Sequence, residues 1–378
     1  MKLYKVNTDK ELREFVMFPY KLYKGDPYWV PPLLMDAKKI ASGNTPLFKK
    51  GPYRHCIVKD GEEVLGRITC GIDERMNELK GTKEVYFTLF ETVNDKKVVE
   101  LLFEEVEKFA KEMGMKSIKG PISPTNGDDF RGVLIENFNS PPTLLEAYNL
   151  PYYKILIEEM GFEPFYDFYS YIFNLKNLNL ERYENGTQYA KEKYGFYVKA
   201  LSSKYVKRHL NQMVREVKYI MDKAVPMEWR DPIVPPSEEE LREAMKELIP
   251  LGVPGSLIMA YSQKGEPIGF NVSLPNYNEV LKRLNGHLLP FGWLKFLYYK
   301  KKIEGAKSFI MFVIPSWHKK GVSSAIYLEG LRYAKKYGYR WVEGGTIGKD
   351  NTFMRRDAEK LGGIKHKTFR LYIKNLQY

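Results

Sequence analysis

The chain has 378 residues, and its 60 Lys and Arg against 47 Asp and Glu give it a formal net charge of +13. Its length suggests two domains or one large one, and a hydrophobic content of 44% can build packed cores, which excludes an intrinsically disordered protein. Two cysteines are too few for a disulfide scaffold or a structural zinc site. The positive charge fits a nucleic acid, an anionic surface or a polyanionic small molecule, and it does not choose between them.

The amino terminus and the most apolar stretch predict a cytoplasmic protein. Residues 1–7 lack the apolar core of a signal peptide. The stretch 288–299 is interrupted by proline, glycine and lysine, and it is shorter than the ~20 residues that span a bilayer. Cys56 and Cys70 lie in segments of alternating apolar residues, so we expect both to be buried, reduced strand residues.

The first half of the chain predicts alternating strands and helices. A capping box of Thr8 and Glu11 marks one helix start. The predicted elements, in chain order, are a strand at 2–7, a helix after Thr8, a helix at 33–42, a hairpin of 55–59 and 63–73, a strand at 85–93, a helix from 94 to 113, a strand at 117–122, an irregular segment at 123–148, a helix at 151–160 and a strand at 165–174.

The second half repeats this order, after a polar segment at 176–188 that we interpret as a connector. Ser237 and Glu240 form a second capping box. Its elements are a strand at 197–201, a basic helix at 204–224, a helix after Ser237, a hairpin of 257–261 and 267–274, a strand at 308–314, a helix at 323–337, a strand at 340–343, a helix at 351–361 and a strand at 368–374. We infer a duplicated chain; two unrelated α/β domains are the alternative.

The strongest functional signal is a strand that runs through a short basic loop into a helix, over residues 311–325. The N–H groups and the positive end of a helix dipole at such a point form a site for phosphate groups. A glycine in the loop allows close approach of the backbone. An ordinary strand-to-helix turn with solvated lysines is the alternative. The candidate anion-binding residues are His318, Lys319, Lys320, Gly321, Val322, Ser323 and Ser324.

This loop resembles the acyl-CoA pyrophosphate loop, Gln/Arg-x-x-Gly-x-Gly/Ala, of the GNAT superfamily of N-acyltransferases. The order of elements over about 197–374 is similar to that of the family, and the whole chain resembles a group of prokaryotic GNAT-like proteins. Segments 26–32, 90–95, 148–153, 289–292, 350–351 and 367–372 carry the second likeness. The resemblance implies an α/β fold of the α+β type. Two GNAT-like domains in tandem, 1–175 and 190–378, would each be a mixed, mostly antiparallel twisted sheet flanked by helices.

The resemblance also implies acetyl-CoA or another acyl-CoA as co-substrate and no metal. It assigns the pantetheine arm to the strand backbone of Met311, Phe312 and Val313. The loop departs from the family pattern, because His318 replaces Gln or Arg and Ser323 replaces the second Gly or Ala. The tyrosine that protonates the leaving thiolate in many relatives falls at Ala358. Another donor serves, the thiolate leaves unassisted, or the chain does not catalyse acyl transfer.

In such enzymes a bound amine attacks the thioester and a carboxylate or a water relay takes its proton. Glu343, at the end of a predicted strand, is the first candidate base, with a structural carboxylate as the alternative, and Glu91 is a weaker candidate. Asn351 either bonds near the thiol or caps its helix, and capping is the role that asparagine favours.

Four residues are candidates for binding the acceptor. Asp128 and Asp129 lie in the long irregular segment and could attract a cationic amine, while Tyr152 and Tyr153 could line its pocket. A solvated turn is the alternative for the two aspartates.

The first half carries only Asn94 and Asp95 at the matching loop, and a carboxylate there would repel a pyrophosphate. We therefore expect a non-catalytic first half in a pairing similar to N-myristoyltransferase and the Fem-type aminoacyl transferases. The leading function is an N-acyltransferase, most simply an N-acetyltransferase, that acts on a small-molecule or peptide amine.

The alternatives are a Fem-like aminoacyl-tRNA-dependent transferase and a non-enzymatic module that binds CoA or a partner. The basic helix 204–224 is interpreted as a solvated face, with RNA contact as the alternative. The stretch 288–299 is expected to pack between the halves, although a lid over an acyl chain or a membrane-surface helix would also fit.

Overall fold

The computed structural model describes residues 1–43, 51–122, 131–225 and 233–377. Its strands are β1 Lys2–Lys5, β2 Tyr53–Asp60, β3 Glu63–Gly71, β4 Glu84–Thr92, β5 Ser117–Gly120, β6 Val133–Glu136, β7 Glu163–Asn174, β8 Phe196–Leu201, β9 Leu257–Ser262, β10 Pro267–Pro275, β11 Gly305–Val313, β12 Trp341–Gly348 and β13 Ile364–Asn375. Its α-helices are α1 Asp9–Leu22, α2 Leu34–Ala41, α3 Glu74–Lys80, α4 Lys96–Glu112, α5 Tyr153–Glu159, α6 Glu181–Tyr194, α7 Ser203–Arg208, α8 Leu210–Ala224, α9 Glu238–Leu248, α10 Asn278–Leu284, α11 Gly292–Tyr299, α12 Val322–Lys336 and α13 Thr352–Lys360.

These strands form one mixed sheet in the order β1-β2-β3-β4-β5-β13-β7-β12-β11-β10-β9-β8, with β6 paired to β13. The first half supplies β1 to β5 and the second half supplies β8 to β12 in mirrored positions. Neighbours within each set are antiparallel except the last pair, β4 with β5 and β11 with β12, which is parallel. The two sets therefore share one strand order and one pattern of strand directions.

The two halves exchange their last strands at the centre of the sheet. β7 ends the first half but pairs with β12, whereas β13 ends the second half but pairs with β5. The two exchanged strands also pair with each other, antiparallel. Each half thus completes the sheet of the other. The division into domains 1–175 and 190–378 stays a prediction.

Helices cover the sheet and bury a core in each half. The apolar face of α4 packs on the strands of the first half, where Cys56 and Cys70 are buried and free, as expected. α8 and α12 do the same in the second half. Both predicted capping boxes, Thr8 with Glu11 and Ser237 with Glu240, are present, which confirms these two helix starts.

Four local predictions are wrong. The segment 123–148 is not irregular throughout, since it contains β6, which pairs with β13. The segment 176–188 is not a connector, since α6 begins inside it and buries Thr187 and Ala190. The basic stretch 204–224 is two helices, because the backbone leaves the helical conformation at His209. The stretch 288–299 does not pack between the halves, since no residue of α11 is buried.

Candidate functional site

A fork between two parallel strands lies in the second half of the sheet. β11 and β12 pair only over residues 305–308 and 341–344, yet both strands continue beyond that point. A small cavity sits at the fork. It is lined by Lys307 and Phe309 of β11, by Gly345 and Thr346 of β12, and by residues 144–146 of the first half. The first half therefore forms one wall of the cavity.

The amino terminus of α12 follows β11 and has no side-chain cap among the described residues. Gly321 precedes the helix with a φ of +77°, a conformation that glycine adopts without strain. A Cβ atom added to it would lie 2.8 Å from the Cβ of Ala190 in α6, so a larger residue would not fit. Backbone N–H groups at this end of a helix have no partner within the helix, and they attract anions.

Three basic residues lie in the loop just before this helix end. The Lys319 ammonium lies 5.0 Å from the centre of the Phe353 ring, and that of Lys320 lies 4.9 Å from the Trp317 ring. His318 Nε2 lies 2.8 Å from the carbonyl oxygen of Val313. A carbonyl only accepts, so Nε2 carries the proton and donates it. The structure thus brings the predicted loop residues together beside an uncapped helix.

The remaining predicted coenzyme residues lie along the same path. Met311 and Phe312 are half-buried and Val313 is buried, all on the part of β11 beyond the fork. The Ser323 hydroxyl donates a hydrogen bond to the Asp357 carboxylate of α13 instead of remaining free for a ligand. Val322 is buried and Ser324 is half-buried. The coenzyme role of all ten residues stays a prediction.

Glu343 is buried on β12, in the second-to-last residue pair before the fork. Its Oε1 accepts hydrogen bonds from the Ser170 hydroxyl at 2.5 Å and from His366 Nδ1 at 2.9 Å. Burial alone would raise the pKa of Glu343, but Lys307, His366 and Lys367 together lower it more, so its pKa lies well below the ordinary value. A carboxylate with such a low pKa holds a proton poorly, and its predicted role as base stays a prediction.

The sequence reasoning missed His366. The side chain is 18% exposed and approaches Glu343 because β13 departs from regular pairing between Lys365 and Thr368. No local pattern marks this position, since the irregular pairing depends on the partner strand. His366 and Glu343 form a histidine–carboxylate pair close to the fork.

A second buried ion cluster joins the halves at the same place. The Glu146 carboxylate of the first half accepts from the ammonium groups of Lys307 at 3.2 Å and Lys367 at 2.9 Å. All three side chains are at most 3% exposed. Complete burial makes this cluster sensitive to the loss of any one partner. The cluster holds the wall of the cavity against β11 and β13.

The other predicted site residues have varied positions. Asn351 caps α13 by accepting from the Met354 N–H at 3.2 Å, which is the capping role, while its catalytic role stays a prediction. Ala358 is fully buried, so only a methyl group occupies the position of the expected tyrosine. Asp128 and Asp129 lie outside the described residues.

The first half has its own fork, and two tyrosine hydroxyls bond to one of its strands. β4 and β5 pair only over residues 84–86 and 117–119, and β4 continues to Thr92. The Tyr153 hydroxyl accepts from the Thr92 N–H at 3.0 Å, and the Tyr152 hydroxyl donates to the Thr92 carbonyl at 2.6 Å. Glu91 accepts from the Tyr153 hydroxyl at 2.6 Å. Both tyrosines thus contact the separated strand of the first half, and acceptor binding by them stays a prediction.

The helix that follows this fork is also closed. The Asp95 side chain caps α4 by accepting from the Lys97 N–H at 2.8 Å. A carboxylate therefore occupies the helix end that corresponds to Gly321 in the second half. Burial raises the pKa of Glu91, although Arg67 opposes the shift.

Two curated proteins are similar to the chain over nearly its whole length, whereas no protein-family model matches it. Protein YghO of Escherichia coli K12 is 28% identical over 376 residues, covering 97% of this chain and 93% of that protein. A bacterial ceramide synthase of Caulobacter vibrioides is 27% identical over 397 residues, covering 98% and 96%.

Two solved structures share the architecture. A tandem GNAT protein from the clavulanic acid biosynthesis pathway superposes with a TM-score of 0.58 at 11% identity, covering 99% of this chain and 98% of that one. A GCN5-related glucosamine N-acetyltransferase region in a fungal multi-domain β-N-acetylglucosaminidase also gives 0.58, at 13% identity, covering 99% of this chain but 38% of that one. The predicted fold is confirmed: the chain has the tandem GNAT fold.

Proposed function

We propose that the second half of the chain is an acyl-CoA-dependent N-acyltransferase. The observation that carries the proposal is the open fork of β11 and β12, which leads to an uncapped helix with two lysines beside it. The fork of the first half offers neither feature. The Tyr152 and Tyr153 hydroxyls bond to its separated strand, and Asp95 caps its helix. The proposal therefore assigns one coenzyme site to each chain.

The coenzyme would bind along the path from the helix end to the fork. The N–H groups of 321–324, with Lys319 and Lys320, would hold the pyrophosphate, because both the helix dipole and the ammonium groups favour negative charge there. The backbone of 311–313 would hold the pantetheine arm, since this part of β11 has no partner on the side of β12. The thioester would then lie near the cavity at the fork.

His366 is the group that we assign to take the proton from the amine. Its Nδ1 donates to Glu343, so Nε2 carries the lone pair that would accept a proton, at 3.5 Å from the Ser140 hydroxyl. As the amine nitrogen bonds to the thioester carbon, the carbon–sulfur bond breaks, CoA leaves as its thiolate with the electron pair, and Nε2 receives the amine proton, which later protonates the thiolate or passes to water. Glu343, the predicted base, acts in this proposal as a positioning residue that holds the ring through Nδ1.

A long-chain amine is the acceptor class that we favour. Leu144, Leu145 and Phe309 give the cavity an apolar lining. The relative from Caulobacter vibrioides is named a ceramide synthase, and a ceramide is a long-chain amine that carries an N-acyl group. Acetyl transfer to a small amine and aminoacyl transfer from tRNA are the competing outcomes of the test.

The test is an assay of thiol release by the purified full-length chain. Acetyl-CoA and palmitoyl-CoA are each offered with a long-chain amine, a polyamine and an amino acid, and a separate reaction contains aminoacyl-tRNA. We expect acyl-amide product with the long-chain amine and its loss in His366→Ala. Lys96→Glu, at the start of α4 in the first half, is the control and should leave turnover unchanged. Absence of amide product from every acyl-CoA would contradict the proposal.

A further inference from the structure

The helix α11 presents an apolar side away from the protein. Its half-buried residues are Gly292, Phe296 and Tyr299, which recur at the spacing of one helix face. The Phe296 ring stacks on Tyr277 with ring centres 5.8 Å apart, and the Arg283 guanidinium lies 4.6 Å from the Tyr299 ring. This face attaches the helix to the body of the protein.

The opposite face is exposed and equally apolar. Trp293, Leu294, Leu297 and Tyr298 lie together on it, and each is between 44% and 57% exposed. Leu289 and Phe291, just before the helix, are 68% and 70% exposed. A surface helix of a globular protein ordinarily turns such residues inward, and a contiguous exposed apolar patch marks an interaction site.

Basic residues surround this patch. Lys295 lies on the flank of the helix, and Lys300–Lys302 continue directly from its end, all exposed. No acidic residue occurs between Glu279 and Glu304. The partner of the patch therefore has to combine an apolar layer with negative charge.

We propose that residues 289–302 bind the surface of an anionic lipid bilayer. A helix of eight residues is far too short to cross a bilayer, so it would lie along the surface. Leu294 and Leu297 would enter the acyl boundary, Trp293 and Tyr298 would sit at the headgroup level, and the lysines would meet anionic headgroups. Among the described residues no helix is long and apolar enough to cross a membrane, so attachment would rest on surface contacts of this kind.

Flotation with lipid vesicles tests this proposal on the full-length chain. Vesicles of phosphatidylcholine with about 30% phosphatidylglycerol are compared with pure phosphatidylcholine vesicles. We expect binding to the anionic vesicles that weakens as salt is raised. Replacing Lys300, Lys301 and Lys302 with Gln should weaken it about a hundredfold, since each lysine near an anionic surface contributes about fivefold.

The apolar contribution has its own variant and control. Leu294→Glu with Leu297→Glu should abolish flotation, whereas Ile155→Glu, an exposed isoleucine on α5, should leave it unchanged. All substituted positions are exposed, so circular dichroism and the melting temperature should match wild type. Tryptophan quenching by brominated lipid should disappear in Trp293→Phe.

Three results would overturn the proposal. One is the absence of flotation with anionic vesicles at low salt. A second is flotation that survives in the double leucine variant. The third is a wild-type dimer that is lost in the variant with Leu294→Glu and Leu297→Glu while vesicle binding persists. The patch would then bind a second copy of the chain. The proposal does not depend on the acyltransferase assignment, so vesicle binding and thiol release can fail separately.

Discussion

β4 with β5 and β11 with β12 are both parallel strand pairs that separate after three or four residue pairs. In the first half, the Tyr152 and Tyr153 hydroxyls bond to the separated strand and Asp95 caps the following helix. In the second half, Gly321 stands at the helix end and the cavity remains at the fork. The difference shows how a repeated scaffold can leave a helix end without a side-chain cap in one copy and cap it in the other, among the described residues.

The first half still contributes to the open fork. Its residues 144–146 line the cavity, and Glu146 pairs with lysines of the second half. Because the last strands are exchanged, β13 brings His366 and Lys367 to the boundary between the two halves. The candidate site is thus built from both copies even though only one is open.

The largest expected effect comes from removing the histidine of the open fork. His366→Ala should lower kcat by about 100-fold or more with little change in the KM for acyl-CoA, since general bases contribute about 10²–10⁴-fold. Steady-state kinetics over a range of pH measures this. Glu343→Gln should lower kcat less and alter the pH profile, because it leaves His366 in place without its carboxylate.

The matched change in the closed fork is Tyr23→Phe, which removes a hydroxyl that donates to Glu91. Its kcat should equal that of wild type. Equal loss of kcat in Tyr23→Phe and His366→Ala would break the distinction between the two forks.

The next effect concerns the contact between the halves. Glu146→Ala should lower the free energy of unfolding by about 3–5 kcal/mol, because it leaves two lysine ammonium groups buried without their carboxylate. Chemical denaturation monitored by circular dichroism measures it. Glu136→Gln removes the exposed pair with Lys365 and should cost at most about 1 kcal/mol. Similar losses in both variants would show that the buried cluster does not join the halves.

A smaller effect concerns the pH dependence of stability that His55 produces. Burial lowers the pKa of His55 to about 4, and the ring is held neutral between the Thr69 hydroxyl and the Ala41 carbonyl. The unfolded chain binds a proton at higher pH than the folded chain does, so stability should fall as the pH drops from about 6.5 to 4. The contribution is at most about 3 kcal/mol. Denaturation series at several pH values should show a shallower fall for His55→Gln, and an unchanged fall would contradict this account.

The smallest effect tests the closed helix end. Asp95→Ala should lower the free energy of unfolding by about 1 kcal/mol, the usual cost of losing a helix cap. Acyl-CoA binding should not change, because the proposed coenzyme site lies in the second half. Isothermal titration and denaturation together measure both quantities. Tighter acyl-CoA binding in this variant would assign the coenzyme to the first half, because the removed carboxylate repels a pyrophosphate.

Local features of the fold could be predicted from the sequence, whereas the strand exchange could not. Capping boxes at Thr8 and Ser237 and the hairpin at Gly61 depend on neighbouring residues, and the structure contains all three. β7 has the same alternating apolar pattern whichever sheet it joins, so only long-range pairing places it beside β12. α6 was missed because its exposed face is polar and contains Asn185 and Gly186.

The candidate site divides in the same way. The loop 318–324 could be found because strand, glycine and helix are contiguous in the sequence. The pair of His366 and Glu343 could not, because it depends on irregular pairing in β13. In the cluster of Glu146, Lys307 and Lys367, the carboxylate bonds to lysines that lie 161 and 221 positions away along the chain.

The stoichiometry of acyl-CoA binding by isothermal titration tests the central claim most directly. One acyl-CoA should bind per chain, and Gly321→Asp should reduce the affinity at least about 100-fold, since the new side chain would meet Ala190 and place a carboxylate at the helix end. Denaturation of the variant should show that it is folded. Two molecules per chain, none at all, or unchanged binding in folded Gly321→Asp would contradict the claim that the second half alone holds the coenzyme.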